Sequence, residues 1–160
     1  MAHSRWSDCP FRIGPDDPAI PAILDLIRAA FAYMEGRIDP PSSMHRLTLD
    51  DIARQARDGE VWCIGQPPIA CVFLTPMDND LYIGKLAVTA ERRGEGFARS
   101  LVDVAAERAR ELGRNALTLQ TRIELVENHA VFRRMGFAPL GMTAHPGYDR
   151  PTSVTMRRAL

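Results

Sequence analysis

The sequence lacks any dominant sign of charge: twenty Lys and Arg balance twenty Asp and Glu across 160 residues. No global field would hold such a chain on nucleic acid or on an anionic membrane, so the expected partner is a small molecule or a local surface. Apolar runs are short of the ~20 residues that a membrane span needs, and the opening Met-Ala-His-Ser-Arg-Trp-Ser-Asp has no signal-peptide core. A cytoplasmic protein is expected. Cysteine is scarce: Cys9, Cys63 and Cys71 are odd in number and follow no metal spacing. His3, His45, His129 and His145 are too scattered to suggest a metal site, so no metal is expected. Repeats, low-complexity runs and interdomain linkers are also missing, and residues 1–160 read as one domain with a single sizeable core.

What is present is organised around one stretch. The β-branched run Leu81-Tyr-Ile-Gly-Lys-Leu-Ala-Val88 gives way through Thr89-Ala-Glu-Arg-Arg-Gly-Glu-Gly96 to Phe97, Leu101, Val104, Ala105, the Arg108 stem and Leu112 at helical spacing. That is strand, turn and helix. Gly94 and Gly96 stand where the turn becomes the helix, so no Cβ blocks an anion from the free N–H groups of the first helical turn. The positive end of the macrodipole lies there too, and Arg92 and Arg93 add charge of the sign a phosphate wants. A dinucleotide fingerprint would need a glycine where Arg99 stands, and a P-loop would need a Gly-Lys-Ser/Thr that occurs nowhere.

In chain order, Pro10–Ile13 reads as a short strand. Asp16-Asp-Pro18 caps a helix whose stripe is Ile20, Ile23, Leu24, Ile27 and Phe31, although Pro21 also belongs in a first turn. Gly36 ends it, and Arg37-Ile-Asp-Pro-Pro-Ser-Ser-Met-His45 is a loop, because consecutive prolines forbid helix. Thr48-x-x-Asp51 resembles a capping box for a second helix that stops at Gly59. Strands follow over 60–65, 68–75 and 79–88. If the first two form a hairpin about Gly65-Gln-Pro-Pro68, Cys63 falls opposite Ala70 and Cys71 on the other face, so the cysteines read as packing residues and not as a disulfide. After the long helix come a strand over 116–120, a short helix near 128–135, and strands over 137–144 and 154–158. The order β-α-α-β-β-β-α-β-α-β-β implies an α/β (α+β) domain, its sheet mixed and mostly antiparallel with helices on its faces.

Arg93-x-x-Gly96-x-Ala98 behind Leu86-Ala-Val88, followed downstream by Glu127-Asn-His-Ala-Val-Phe-Arg-Arg-Met-Gly-Phe137, resembles the GNAT superfamily of acetyl-CoA dependent N-acetyltransferases. The two motifs cover about the middle third of the chain, and the order of elements matches along all of it. The resemblance implies a GNAT-like seven-stranded sheet in which the strand ending at Val88 splays from the one ending near Gln120. It places pantetheine in that cleft against the backbone of Leu86, Ala87 and Val88, and the pyrophosphate on the turn Arg93, Gly94, Glu95, Gly96, Phe97 and Ala98. It also gives Asn128 a role in fixing the cofactor and Phe132 a packing role. Phe132 occupies the position where many relatives carry a tyrosine acid, so the departing thiol has no acid there.

The implied activity is acetyl transfer from acetyl-CoA, as co-substrate, to a primary amine, small and polar or amino-acid-like. Candidates for taking the amine proton are Glu35, Asp39 and His45 in the loop between the first helices, Tyr82 on the central strand, and His145; the first choices are Glu35 and His45, then Tyr82. Gln120, Arg122, His145 and Tyr148 are expected at the acceptor. Prolines 40, 41, 146 and 151 stiffen the two rim loops. A non-catalytic acyl-CoA binding module, an acetyltransferase of protein amines and a generic phosphate binder stay open at this point, as does a homodimer.

Overall fold

The computed structural model describes residues 8–160. Four helices and seven strands follow the expected order: β1 (Phe11–Ile13), α1 (Ile20–Ala30), α2 (Leu49–Asp58), β2 (Glu60–Ile64), β3 (Ala70–Pro76), β4 (Asp80–Val88), α3 (Phe97–Glu111), β5 (Ala116–Arg122), α4 (Val126–Arg134), β6 (Ala138–Thr143) and β7 (Ser153–Ala159). One sheet contains all seven strands in the order β1-β2-β3-β4-β5-β7-β6, and only β4 and β5 run parallel.

Local chemistry accounts for the helix boundaries. Thr48 Oγ1 accepts from Asp51 N at 3.1 Å while Asp51 Oδ2 accepts from Thr48 N at 2.9 Å, the reciprocal capping box that starts α2. Helix α1 has no side-chain cap and opens with Pro21 in its first turn, while Asp17 closes the preceding turn by accepting from Ala19 N at 2.9 Å. The loop after α1 holds two short 3₁₀ turns, Ala32–Met34 and Ser43–Arg46; the second buries Met44.

Two apolar clusters sandwich the sheet. On one face α1, α2 and the 3₁₀ turn between them pack Ile23, Ile27, Ile52 and Met44 against Val61, Cys63, Cys71, Phe73 and Ala87. On the other, α3 presents Phe97, Leu101, Val102, Ala105, Ala106 and Ala109 to Ile64, Val72, Leu81, Leu117 and Met156. The inner stripe of α3 therefore differs from the expected one: Val104 lies on its flank, and Val102 with three alanines lets the helix approach the sheet closely. The cysteine register differs as well. Cys63 faces Cys71 and Ile64 faces Ala70, so both thiols share the α1/α2 face. The connecting loop retains Ile69, whose N–H donates to Ile64 O at 2.8 Å, and one extra loop residue reverses the parity of β3. The two thiols are buried and free; burial, with Asp17 nearby, pushes Cys63 up to about 12, as suits packing residues rather than nucleophiles.

Two irregularities of β4 shape the site. Its parallel pairing with β5 stops at Ile83↔Leu119, although both strands continue, to Val88 and Arg122. Its pairing with β3 slips between Cys71↔Ala87 and Phe73↔Gly84, a bulge where Lys85 takes φ 49°. Lys85 is the only non-glycine at positive φ among the described residues.

Candidate active site

The parted strands open a cleft of about 1610 Å³ that runs from the start of α3, past Leu86 and Val88, to the loops after α1 and β6. Residues 84–88 have no ladder partner on the β5 side, so their backbone polar groups there are available to a ligand that adds as a strand.

At the α3 end the two glycines of the turn leave the helix start open. Gly94 and Gly96 have φ 82° and 87°, and a Cβ built on either meets no atom within 4 Å, so the space beside them is open cleft. The first helical bond of α3 is Ser100 N to Gly96 O, 3.0 Å, which leaves the N–H groups of Phe97, Ala98 and Arg99 without an intrahelical acceptor. The side chains divide differently from expectation. Arg93 lines the cleft but donates to Ala30 O at 3.2 Å and lies over the Tyr33 ring, on the C-terminal end of α1. Glu95 does not line the cleft: it holds Arg92 at 2.8 Å and so aims that guanidinium along the turn. The Phe97 ring is buried against the core, which leaves its N–H as the group at the cleft. Arg99, in the first turn of α3, lines the cleft as an exposed residue, a cation at the helix start that the sequence motif does not single out.

Midway along, Asn128 opens α4 and donates from Nδ2 to the Tyr33 hydroxyl at 3.0 Å. Tyr33 itself lay outside the sequence expectations. The 3₁₀ turn Ala32–Met34 brings it to the first turn of α4, 95 positions away in the chain. Phe132 packs edge-on against Phe137 at 5.9 Å and lends its other side to the cleft, in keeping with contact area rather than proton transfer.

The other arm gathers the residues expected at the acceptor. His45 lines the cleft and its Nε2 lies 3.4 Å from Oε1 of Glu35, which does not line the cleft but shares a smaller pocket with His45; both side chains are exposed. Tyr82 is half buried; burial raises its pKa, against an opposing hydrogen bond from the Gln120 backbone, so the phenol stays protonated near neutral pH and cannot take up the proton of an amine. Gln120 Nε2 reaches Thr155 Oγ1 at 3.5 Å. Arg122 Nη1 lies 3.0 Å from Nε2 and 3.1 Å from Nδ1 of His145, and its Nη2 donates to Pro41 O at 3.5 Å. Burial first, then the Arg122 charge, lowers the His145 pKa and keeps that imidazole neutral. Across the mouth, Tyr148 Oη donates to Asp39 Oδ1 at 2.6 Å and Arg150 Nη2 to Asp39 Oδ2 at 3.2 Å, which joins the two rim loops. Lys85 and Ser43 also line this arm, linked by Nζ–Oγ at 2.8 Å. Among the described residues no group of three His, Cys, Asp or Glu could hold a metal, and no helix is long and apolar enough to cross a membrane.

Known proteins carry the same architecture. An IAA acetyltransferase of Azospirillum brasilense is 27% identical over 157 residues, covering 92% of this chain and 97% of that protein. An acetyltransferase from Streptococcus agalactiae superposes with a TM-score of 0.74 at 16% identity, over 96% of this chain and 99% of the other. A GNAT family acetyltransferase from Elizabethkingia anophelis, solved with acetyl-CoA bound, gives 0.67 at 16% identity over 96% and 99%. The family model described as "Acetyltransferase (GNAT) family" matches residues 20–137, from the first turn of α1 to the Phe137 that closes the second motif, and the chain belongs to that family.

Proposed function

We propose that the protein transfers the acetyl group of acetyl-CoA to the primary amine of a small polar or amino-acid-like acceptor. The observation that carries this reading is a single cleft that joins an anion-receiving helix start to an arm lined by imidazoles and hydroxyls. The open space at Gly94 and Gly96, the three unbonded N–H groups of α3, and Arg92 and Arg99 fit a diphosphate; the unpaired 84–88 edge fits the amides of pantetheine.

In the reaction the amine nitrogen forms a bond to the acetyl carbon, the carbon–sulfur bond breaks, the amine gives up a proton and the sulfur departs. An alkylamine with a pKa of about 10.4 arrives protonated, so the protein must accept that proton. The Glu35–His45 pair suits the task, since the carboxylate orients the imidazole and stabilises it once charged. His145 offers a second route, because its lowered pKa keeps it neutral and ready to accept. The departing thiol, with an ordinary pKa of roughly 8.5, leaves as thiolate without an acid at Phe132. Positioning in the cleft then supplies most of the rate.

A thiol-release assay over a panel of amines, peptides included, tests the reading. Turnover with small amines supports it; turnover confined to peptides points to a protein acceptor; CoA binding without turnover points to a binding module. The pH dependence of kcat/KM in His45→Ala, Glu35→Gln and His145→Ala assigns the base. The acidic limb disappears or moves only in the variant that removes it.

A further inference from the structure

The charge of the cleft is unlike that of the chain. Six Lys and Arg line it, Arg46, Lys85, Arg92, Arg93, Arg99 and Arg122, against one carboxylate, Glu127, among the described lining residues. Glu127 is already held by Arg37 at 2.6 Å. The cations at the α3 turn answer the phosphates of the cofactor. Those in the other arm do not: Lys85 and Arg122 are partly buried, and among the described residues neither forms an ion pair. Lys85 is also held where a lysine is costly to hold, in the left-handed region at the β4 bulge, facing the α1–α2 side with its ammonium on Ser43 Oγ at 2.8 Å. Backbone strain of this kind persists where the surroundings over-determine it, and it gathers at ligand clamps. A partly desolvated ammonium whose one partner is a neutral hydroxyl gains most from an incoming anion.

Building on the acetyltransferase reading, we infer that the acceptor is an amine that itself carries an anionic group, a carboxylate or a phosphate, and that Lys85 and Ser43 receive that group. Arg122 in the same arm adds attraction for the same sign of charge and excludes acceptors that are cationic throughout. The amine is thereby held by its far end, and its nitrogen is left free to face the thioester.

The test compares matched acceptors: amino acids against their carboxamides, and 2-aminoethyl phosphate against ethanolamine. Wild type should favour the anionic member by at least tenfold in kcat/KM, and whichever pair shows the larger ratio identifies carboxylate or phosphate as the group. Lys85→Met should raise KM for the anionic acceptor at least tenfold and flatten the ratio, and Lys85→Arg should restore part of it, with an unchanged circular-dichroism melt as the folding control. Equal or better use of the neutral members, with a ratio that Lys85→Met does not change, overturns the inference and leaves acetyl transfer standing. A parallel loss of CoA affinity in Lys85→Met also overturns it, since the lysine would then serve the cofactor. Absence of turnover with every amine removes the acetyltransferase reading and this inference with it.

Discussion

Gly96 shows how one residue can be required twice. Its φ of 87° is a conformation in which a side chain costs about 1–2 kcal/mol, and the space its missing Cβ would fill is the open cleft beside the first N–H groups of α3. Gly96→Val should therefore lower stability by about that amount in urea denaturation. It should also weaken CoA at least tenfold in calorimetric titration; a folded variant with unchanged CoA affinity would refute the placement of the anion. Residues of this kind were legible in the sequence because glycine reports backbone geometry directly. Lys85 left a subtler mark, a charge inside the apolar run Leu81–Val88, and its meaning depended on a bulge that no local pattern announces. Arg93 lines the cleft, but the carbonyl its guanidinium serves, Ala30 O, is 63 positions away and could not be read from the motif.

Among the elements, α2 and α3 are held by different chemistry and should fail differently. Helix α2 begins with the Thr48–Asp51 capping box, and Thr48→Ala should cost about 1 kcal/mol, read as a lower denaturation midpoint with an unchanged slope. Helix α3 is tied to β2 through Glu60, which is 4% exposed and accepts from Arg108 at 2.8 and 2.9 Å and from Trp62 Nε1 at 2.8 Å. Burial pushes the Glu60 carboxyl up, but Arg108, Trp62 and Arg12 together outweigh it and hold the carboxyl below its ordinary range. Because the folded pKa is depressed, the stability this cluster contributes is full above the ordinary carboxylate range and is lost as pH falls through the folded pKa. Arg108→Met leaves Glu60 buried without its main partner and should lose about 3 kcal/mol at pH 7. The deficit should shrink as pH falls toward and through the ordinary carboxylate range, because the unpaired Glu60 of the variant takes up a proton first and the wild-type pair loses its contribution as pH falls through its depressed pKa. The capping box could be read ahead of the structure because its partners are three residues apart. The Glu60–Arg108 pair spans 48 positions and could not, and the cysteine register failed because a single loop residue decides strand parity.

At the scale of the molecule, the two rim loops are fastened together at the mouth of the cleft, Asp39 taking hydrogen bonds from both Tyr148 and Arg150. Tyr148→Phe removes one of these and keeps the ring; it should raise the acceptor KM several-fold while the CoA Kd stays within twofold, as steady-state kinetics and titration can separate. The parted strands have a wider consequence. Between β4 and β5 the sheet is joined by only four residue pairs, Asp80↔Ala116 through Ile83↔Leu119, reinforced by Arg157 on Asp80 at 3.0 Å. This seam divides β1–β4 from β5–β7, and its four pairs engage fewer than half of the nine residues of β4. A ligand lying along residues 84–88 therefore acts as a suture, supplying from outside the rungs that the chain itself does not provide. Amide hydrogen exchange at 84–88 should be among the fastest of any strand in the free protein and slow sharply when CoA is added. Bound at a hundred times its Kd, CoA should also raise global stability by about 2.7 kcal/mol, so the cell's supply of cofactor would set how firmly the two parts of the molecule stay closed.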